Sequence, residues 1–301
     1  MKWTNILHYD AFTTIPDKGN PAGIVLHGDS FTDKEKQEIA FKVGFNETSF
    51  PVTSDVADLG IRFFTPGNEM SLCGHGTIAT IYALKNRGIL EDKSHYTIET
   101  KAGILPIKME SGNTVTMKQA KPQFREFHGS LGKLAHSIGL KQEDINEDLP
   151  MVYGSTGNWT LLVPIKSLES FRRMNPENQL FPLILTEIPH ASVHPFCMET
   201  HDQEADMHGR HFSSAYSGTA EDPVTGTASA VMGAYYAEYL SNQTSHSLLI
   251  EQGQEMNKDG RVKVQVLKRN NEIDVQISGH AVFVKEFTVH YGEGRTSTNE
   301  S

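Results

Sequence analysis

Cysteine is scarce in this 301-residue chain, with only Cys73 and Cys197, far apart in sequence. A disulfide framework or a paired-thiol zinc knuckle needs more thiols at closer spacing, so neither is expected and the thiols read as reduced. Long apolar runs are missing too. Nothing approaches the roughly 20 apolar residues that span a bilayer, and Met1 to Phe12 has neither a basic leader nor an apolar signal core. The reading is a cytosolic protein. Lys and Arg number 27 against 37 Asp and Glu, for a formal net charge of −10. Without clustered cations, nonspecific binding to nucleic acid or an anionic membrane is disfavoured, and neither is expected as a partner. An anionic small molecule needs only a few local donors and stays open. Neither a P-loop, a dinucleotide fingerprint nor an H-E-x-x-H motif occurs, so no cofactor and no metal is expected.

What is present is an ordinary globular composition, 38% hydrophobic and 21% charged, in a chain long enough for two cores. Alternation and β-branching predict strands at Ile61 to Phe64, Thr114 to Lys118, Trp159 to Ile165, Val262 to Leu267 and Ile273 to Ile277. Asp33 to Val43 predicts a peripheral amphipathic helix capped by Thr32 or Asp33, with Ile39, Ala40 and Val43 on its buried side. Two further helices, Gly76 to Leu84 and Gly226 to Ala237, contain no charged residue. A helix without a charged face is buried all round, and a sheet wrapped around it is the natural way to bury it.

These charge-free helices start 150 residues apart, which suggests a duplication. Gly19-Asn20 and Gly157-Asn158 each open an apolar strand ahead of one such helix, as two copies of one unit would. The division expected is 1–120 for the first half, with 281–291 as a strand that completes it, and 121–280 for the second. Lys121 to Ser130 reads as the linker and 292–301 as a polar, frayed tail.

Chemistry concentrates where the chain enters the two buried helices. Thr65 to Thr77 is a glycine-rich turn into the first, and Gly218 to Ser229 does the same for the second. A helix start exposes unpaired N–H groups and partial positive charge, and Gly74, Gly76 and Gly226 allow close approach of a ligand such as a carboxylate. If the halves are related by a pseudo-twofold axis, both starts face one cleft containing His75, Asp222 and Thr227. Taken singly, His75 reads as a structural histidine and Asp222 as a helix cap. Glu47, in Phe45-Asn-Glu-Thr-Ser-Phe50, reads by itself as a solvated strand residue.

Four segments in order, Phe12 to Leu26, Asn46-Glu47-Thr48, Cys73-Gly-His-Gly-Thr-Ile-Ala79 and Glu221-Asp-Pro-Val-Thr-Gly-Thr-Ala228, resemble the phenazine-biosynthesis PhzF-like family, whose fold is that of diaminopimelate epimerase. The resemblance implies an α/β (α+β) fold of two pseudo-symmetric domains, each an antiparallel sheet wrapped around a central helix, with the site between them. It implies a cofactor-free isomerase in which Glu47 moves a proton between carbons. His75 and Asp222 would contact a small carboxylic acid, with Asn46, Gly74, Gly76, Gly226 and Thr227 binding it. The family commonly has serine where this chain has Thr227. A homodimer is also implied.

The related epimerase works with two thiols, one at each helix start. Cys73 matches the first, but Asp222-Pro-Val-Thr-Gly-Thr holds no thiol, so two-thiol stereoinversion is not expected and Cys73 reads as a small residue at the helix start. The rivals are an amino-acid epimerase or racemase and a non-catalytic small-molecule-binding protein of the same fold. His190, His194, His201, His208 and His211, interspersed with Cys197, Asp202, Glu204 and Asp206, lack metal-motif spacing and read as a solvated loop and strand.

Overall fold

Strands dominate the chain, and their pairing falls into two matching sets. The computed structural model describes residues 2–110, 112–270 and 272–292. In spatial order the first set is Ala281–Tyr291, Lys2–Ala11, Asn20–Ile24, Glu47–Val52, Leu59–Phe64, His95–Thr100, Gly103–Met109 and Val115–Lys118. The second is Gln123–Glu126, Val152–Ser155, Trp159–Pro164, Ser192–Cys197, Met207–Gly209, Ser245–Gln252, Gly260–Arg269 and Glu272–Gly279. Along each set the pairings run antiparallel twice, then parallel, antiparallel, parallel and antiparallel twice. Val115–Lys118 and Glu272–Gly279, the last strand of each set, pair with one another and join the halves.

Two halves, each a sheet around a helix, are therefore present, and each sheet is mixed, with two parallel pairings among antiparallel ones, where the family resemblance implied antiparallel strands. A parallel pair requires a crossover, commonly helical. Asp33–Val43 and Gly74–Asn86 provide the two crossovers of the first half. In the second, short 3₁₀ turns with Phe181–Ile184 make one, and Gly226–Tyr235 with a π-helical turn over Tyr236–Leu240 makes the other.

The charge-free segments fold as expected into Gly74–Asn86 and Gly226–Tyr235. Ile78, Ile81, Val231 and Met232 belong to one continuous buried cluster that runs through both halves. Helix Asp33–Val43 lies outside it and covers a separate core with Ile39, Ala40 and Val43. Thr32 and Glu35 close a reciprocal capping box at its start.

Lys121 to Ser130 is more than a linker. Gln123–Glu126 pairs with Val152–Ser155 as the outermost strand of the second set, anchored by Phe124 against Tyr239 and Arg125 over Trp159. Gly292 donates its N–H to Glu38, and the rest of the expected tail lies outside the described residues. Among the described residues, no helix is long and apolar enough to cross a membrane.

The duplication also appears in a signal that the Gly-Asn turns did not reveal. Arg62-Phe63-Phe64 pairs with Glu69-Met70 just before the first central helix, and Arg210-His211-Phe212 pairs with Glu221-Asp222 just before the second. Each arginine grips its glutamate with two nitrogens and lies over its phenylalanine, at 5.4 Å for Phe64 and 4.8 Å for Phe212.

Candidate active site

Both helix starts converge on one wedge of side chains. A Cβ on Gly226 would lie 2.8 Å from Ile277 Cδ1 and from the Phe12 ring, and the side-chain atom nearest a Cβ on Gly74 is again Ile277 Cδ1, at 3.9 Å. At Gly76 a Cβ would meet Ser49 Oγ at 2.9 Å and Cys73 Sγ at 3.2 Å. At Gly226 and Gly76 a Cβ would force Ile277, Phe12 or Ser49 to shift, whereas Gly74 has room for one, and the close fit at Gly76 brings the first turn down onto strand Glu47–Val52. Phe12 holds its place in the wedge with a left-handed backbone, φ 63°, locked by Phe12 N–H to His280 O and Arg261 N–H to Phe12 O.

Glu47 begins the strand that pairs in parallel with Asn20–Ile24, and only 6% of it is exposed. Its Oε1 is buried with no hydrogen-bond partner. A carboxylate oxygen, Cys73 Sγ and a His75 ring nitrogen lie within 4.8 Å of one another. Burial is the main reason that the Glu47 carboxyl is pushed up to about 8; the Cys73 thiol opposes the rise and the charge of Asp222 adds to it.

Cys73 caps the first central helix, its Sγ accepting from Gly76 N–H at 3.3 Å and lying 3.3 Å from His75 Nδ1. Burial, then the neighbouring Glu47 charge, pushes the thiol well above its ordinary range. A thiol so held is a neutral hydrogen-bonding group, whereas zinc takes the thiolate, and the trio of Glu47, Cys73 and His75 suits proton transfer better than metal binding. Burial also lowers His75, partly offset by Asp222, so its imidazole is neutral near pH 7.

Asp222 reaches this group from the second half. Its Oδ1 accepts from Asn46 Nδ2 at 3.1 Å and Asn20 Nδ2 at 2.9 Å, while Thr225 Oγ1 donates to Oδ2. Gln252 holds the backbone around it, donating to Asp222 O and accepting from Thr225 N–H. Asn46 thus links the residue beside Glu47 directly to the opposite half. Thr227 sits in the first turn of the second helix and accepts at its carbonyl from Thr156 Oγ1 at 3.1 Å. All eight residues singled out from the sequence lie around these two helix starts.

Several others there were missed. Asn20 was read as a turn residue, yet it is fully buried and also donates to Val224 O. His8 pairs with buried Asp10 at 2.9 Å and stacks on Phe45, with ring centroids 4.5 Å apart, bracing the segment that delivers Asn46 and Glu47. The histidine-rich stretch is solvated only in part, with His190, His201, Glu204 and Asp206 exposed as expected. His194 and His208 are fully buried because their strands are covered on both faces, His194 meeting Met232 of the central helix and His208 packing on Phe171. His211 stands opposite Asp222 in register and meets His194, Nδ1 to Nδ1, at 3.1 Å. Aligning Arg62-Phe63-Phe64 with Arg210-His211-Phe212 would have marked His211 as a polar residue in an apolar place.

Comparison with known proteins adds the family. A profile described as phenazine biosynthesis-like protein matches residues 9–287. The chain is 52% identical over 286 residues to a Bacillus subtilis protein named uncharacterized isomerase YfhB, covering 94% of this chain and 97% of that one. Trans-2,3-dihydro-3-hydroxyanthranilate isomerase of Pseudomonas aeruginosa is 27% identical over 285 residues, covering 92% and 96%. The crystal structure of the Bacillus anthracis phenazine biosynthesis protein, PhzF family, superposes with a TM-score of 0.94 at 57% identity, covering 97% of this chain and 100% of that one.

Proposed function

Because the chain belongs to the phenazine biosynthesis-like protein family and is an isomerase like its relatives, we propose that it shifts a proton between carbons of a small carboxylic acid, with Glu47 as the single acid/base. The observation that carries this reading is the Glu47 carboxyl: buried, with Oε1 unpartnered, and raised to about 8 beside two helix starts. A general base works best when its pKa lies near the operating pH, and desolvation supplies that here.

The chemistry runs in two steps. Glu47, as carboxylate, removes a proton from a carbon next to an electron-withdrawing group. It then returns that proton to another carbon on the same face of the bound substrate. Amides at the starts of Gly74–Asn86 and Gly226–Tyr235 hold the substrate carboxylate between the halves. Neutral His75 donates a hydrogen bond to charge developing on the substrate, and Asp222, fixed by Asn20, Asn46 and Thr225, orients a polar substituent. Apposition of the halves keeps water from the carbanion. No step of this sequence calls for a cofactor. A homodimer and a cytosolic setting belong to the same reading.

Against an epimerase stands the residue that caps the second helix. Cys73 caps the first, and its counterpart is Thr225, whose hydroxyl donates to Asp222. A second thiol to work on the opposite face is therefore missing from the matched position.

The test is turnover. Trans-2,3-dihydro-3-hydroxyanthranilate, the acid named for the Pseudomonas aeruginosa relative, and a panel of cyclic and acyclic amino and hydroxy acids are incubated with the protein, and products are resolved by NMR and chiral chromatography. A double-bond or tautomeric isomer as product supports the proton shift. A stereoisomer alone as product favours the epimerase, and measurable binding without any product favours a binding protein.

A further inference from the structure

We propose that His201, His208 and Glu255 bind a divalent metal ion of the zinc type, with an open coordination position facing a surface cavity. The three lie at one end of the second half: His208 on strand Met207–Gly209, His201 in the turn before it, and Glu255 in the 3₁₀ turn Gln254–Met256. One ligand atom from each falls within 4.8 Å of the others. A tetrahedral ion with bonds of about 2.0–2.1 Å separates its ligands by about 3.3 Å. Glu255 Oε1 lies 3.2 Å from His208 Nε2 and 3.6 Å from His201 Nε2.

The surroundings fix which atoms are available. Glu251 is fully buried and accepts four bonds: from His201 N–H at 2.6 Å, His208 Nδ1 at 3.0 Å, Asp202 N–H at 3.1 Å and Arg261 Nη1 at 2.8 Å. An acceptor at His208 Nδ1 places the proton there and leaves Nε2 as the ligand, the carboxylate–histidine–metal arrangement in which a second carboxylate orients the ring.

Nε2 then faces Glu255, whose side chain is only 8% exposed and whose two oxygens have no hydrogen-bond partner. His208 Nε2 is unpartnered as well, because an N–H on it would not point at Oε1 despite the 3.2 Å separation. Lone pairs at that distance repel unless a cation, either a metal ion or a second proton on His208, stands between them. Net charge agrees, since Asp202, Glu251 and Asp259 share one guanidinium, Arg261, and the pull of Arg210 on Glu255 is weaker than that of His208. The cavity outside is about 700 Å³, lined by His201, Asp202, Gln203, Glu204 and Arg261, so water or a small anion can reach the fourth position. His201 and His208 do not form a linear motif with Glu255, which explains why sequence spacing gave no metal signal.

The experiment is titration of the metal-stripped full chain with Zn²⁺, by calorimetry and by competition with a chromophoric chelator, and with Co²⁺ by visible absorption. The expected result is one Zn²⁺ per chain and a tetrahedral Co²⁺ spectrum. His201→Ala and Glu255→Gln should each weaken binding at least tenfold while leaving the melting temperature without metal close to wild type. His201 is partly exposed and Gln has the shape of Glu, so both variants should fold. Failure to bind Zn²⁺, or binding that neither substitution weakens, overturns the proposal and leaves His208 as an imidazolium between two glutamates.

Discussion

Asp222 occupies in the second half the place that Met70 holds in the first, each pairing with the middle residue of an Arg-x-Phe strand, His211 or Phe63. One half keeps an apolar pair at this position and the other has a carboxylate and an imidazole. Duplicated scaffolds need polarity only where the ligand lies, and the replacement of Phe63–Met70 by His211–Asp222 is where the symmetry breaks.

His211→Phe recreates the first half's pattern, and the fold should tolerate it because Phe63 already packs in the equivalent position. His194 Nε2 lies 3.0 Å from Met232 Sδ, which favours its proton on Nε2 and makes Nδ1 the acceptor for His211. The free Nε2 of His211 is then an acceptor beside Asp222. Steady-state kinetics should show KM raised roughly tenfold, about the value of one hydrogen bond, with kcat changed much less.

Cys73→Ala separates a carboxylate base from a thiol base. With Glu47 as the base, activity should persist. Loss of the thiol removes an interaction that holds the Glu47 pKa down, so the alkaline plateau of kcat/KM should be reached at higher pH than in wild type. If the variant is inactive but folded, the thiol is the base.

Glu47→Gln should stabilise the fold in alkali. The folded-state pKa of Glu47 is raised from 4.5 to about 8, so its protonated form is favoured on folding. That contribution is complete below pH 4.5 and is lost as pH rises through 8. Melting curves should therefore show the variant matching wild type near pH 4 and exceeding it above pH 8, by an amount on the order of a few kcal/mol.

The two arginine–glutamate pairs should differ in cost. Arg210 is buried, with side-chain exposure of 8% against 25% for Arg62, and it also donates to Phe171 O and Met174 O. Arg210→Ala leaves the Glu221 carboxylate buried and unpaired, which should cost about 3–5 kcal/mol in denaturant unfolding. Arg62→Ala should cost less, because Lys101 also pairs with Glu69.

The central helices were legible in the sequence because an uncharged helix has only one stable environment, and the strands were legible through alternation. Strand direction was not, since Asn20–Ile24 and Glu47–Val52 read alike in either orientation. Glycine-rich helix starts marked Gly74, Gly76, His75, Gly226 and Thr227, because that chemistry is local. Asp222 was marked by its helix start, but Glu47 and Asn46 needed the family resemblance, since the carboxylate of Glu47 is unusual mainly through its burial in the folded chain, with Asp222, 175 positions away, adding to the shift. For the same reason Asn20 was read only as a turn residue and His211 only as one of a histidine-rich stretch, and Glu255 was not singled out. Their significance arises from long-range partners, and each sits in an otherwise ordinary stretch.

The most direct test of the central claim is hydrogen exchange at carbon, followed by NMR in deuterated water with a substrate identified by turnover, for wild type, Cys73→Ala and Glu47→Gln. The account predicts deuterium at the reacting carbon with wild type and Cys73→Ala, and a rate reduced by at least about a hundredfold with Glu47→Gln. Exchange that survives Glu47→Gln and vanishes with Cys73→Ala would contradict it.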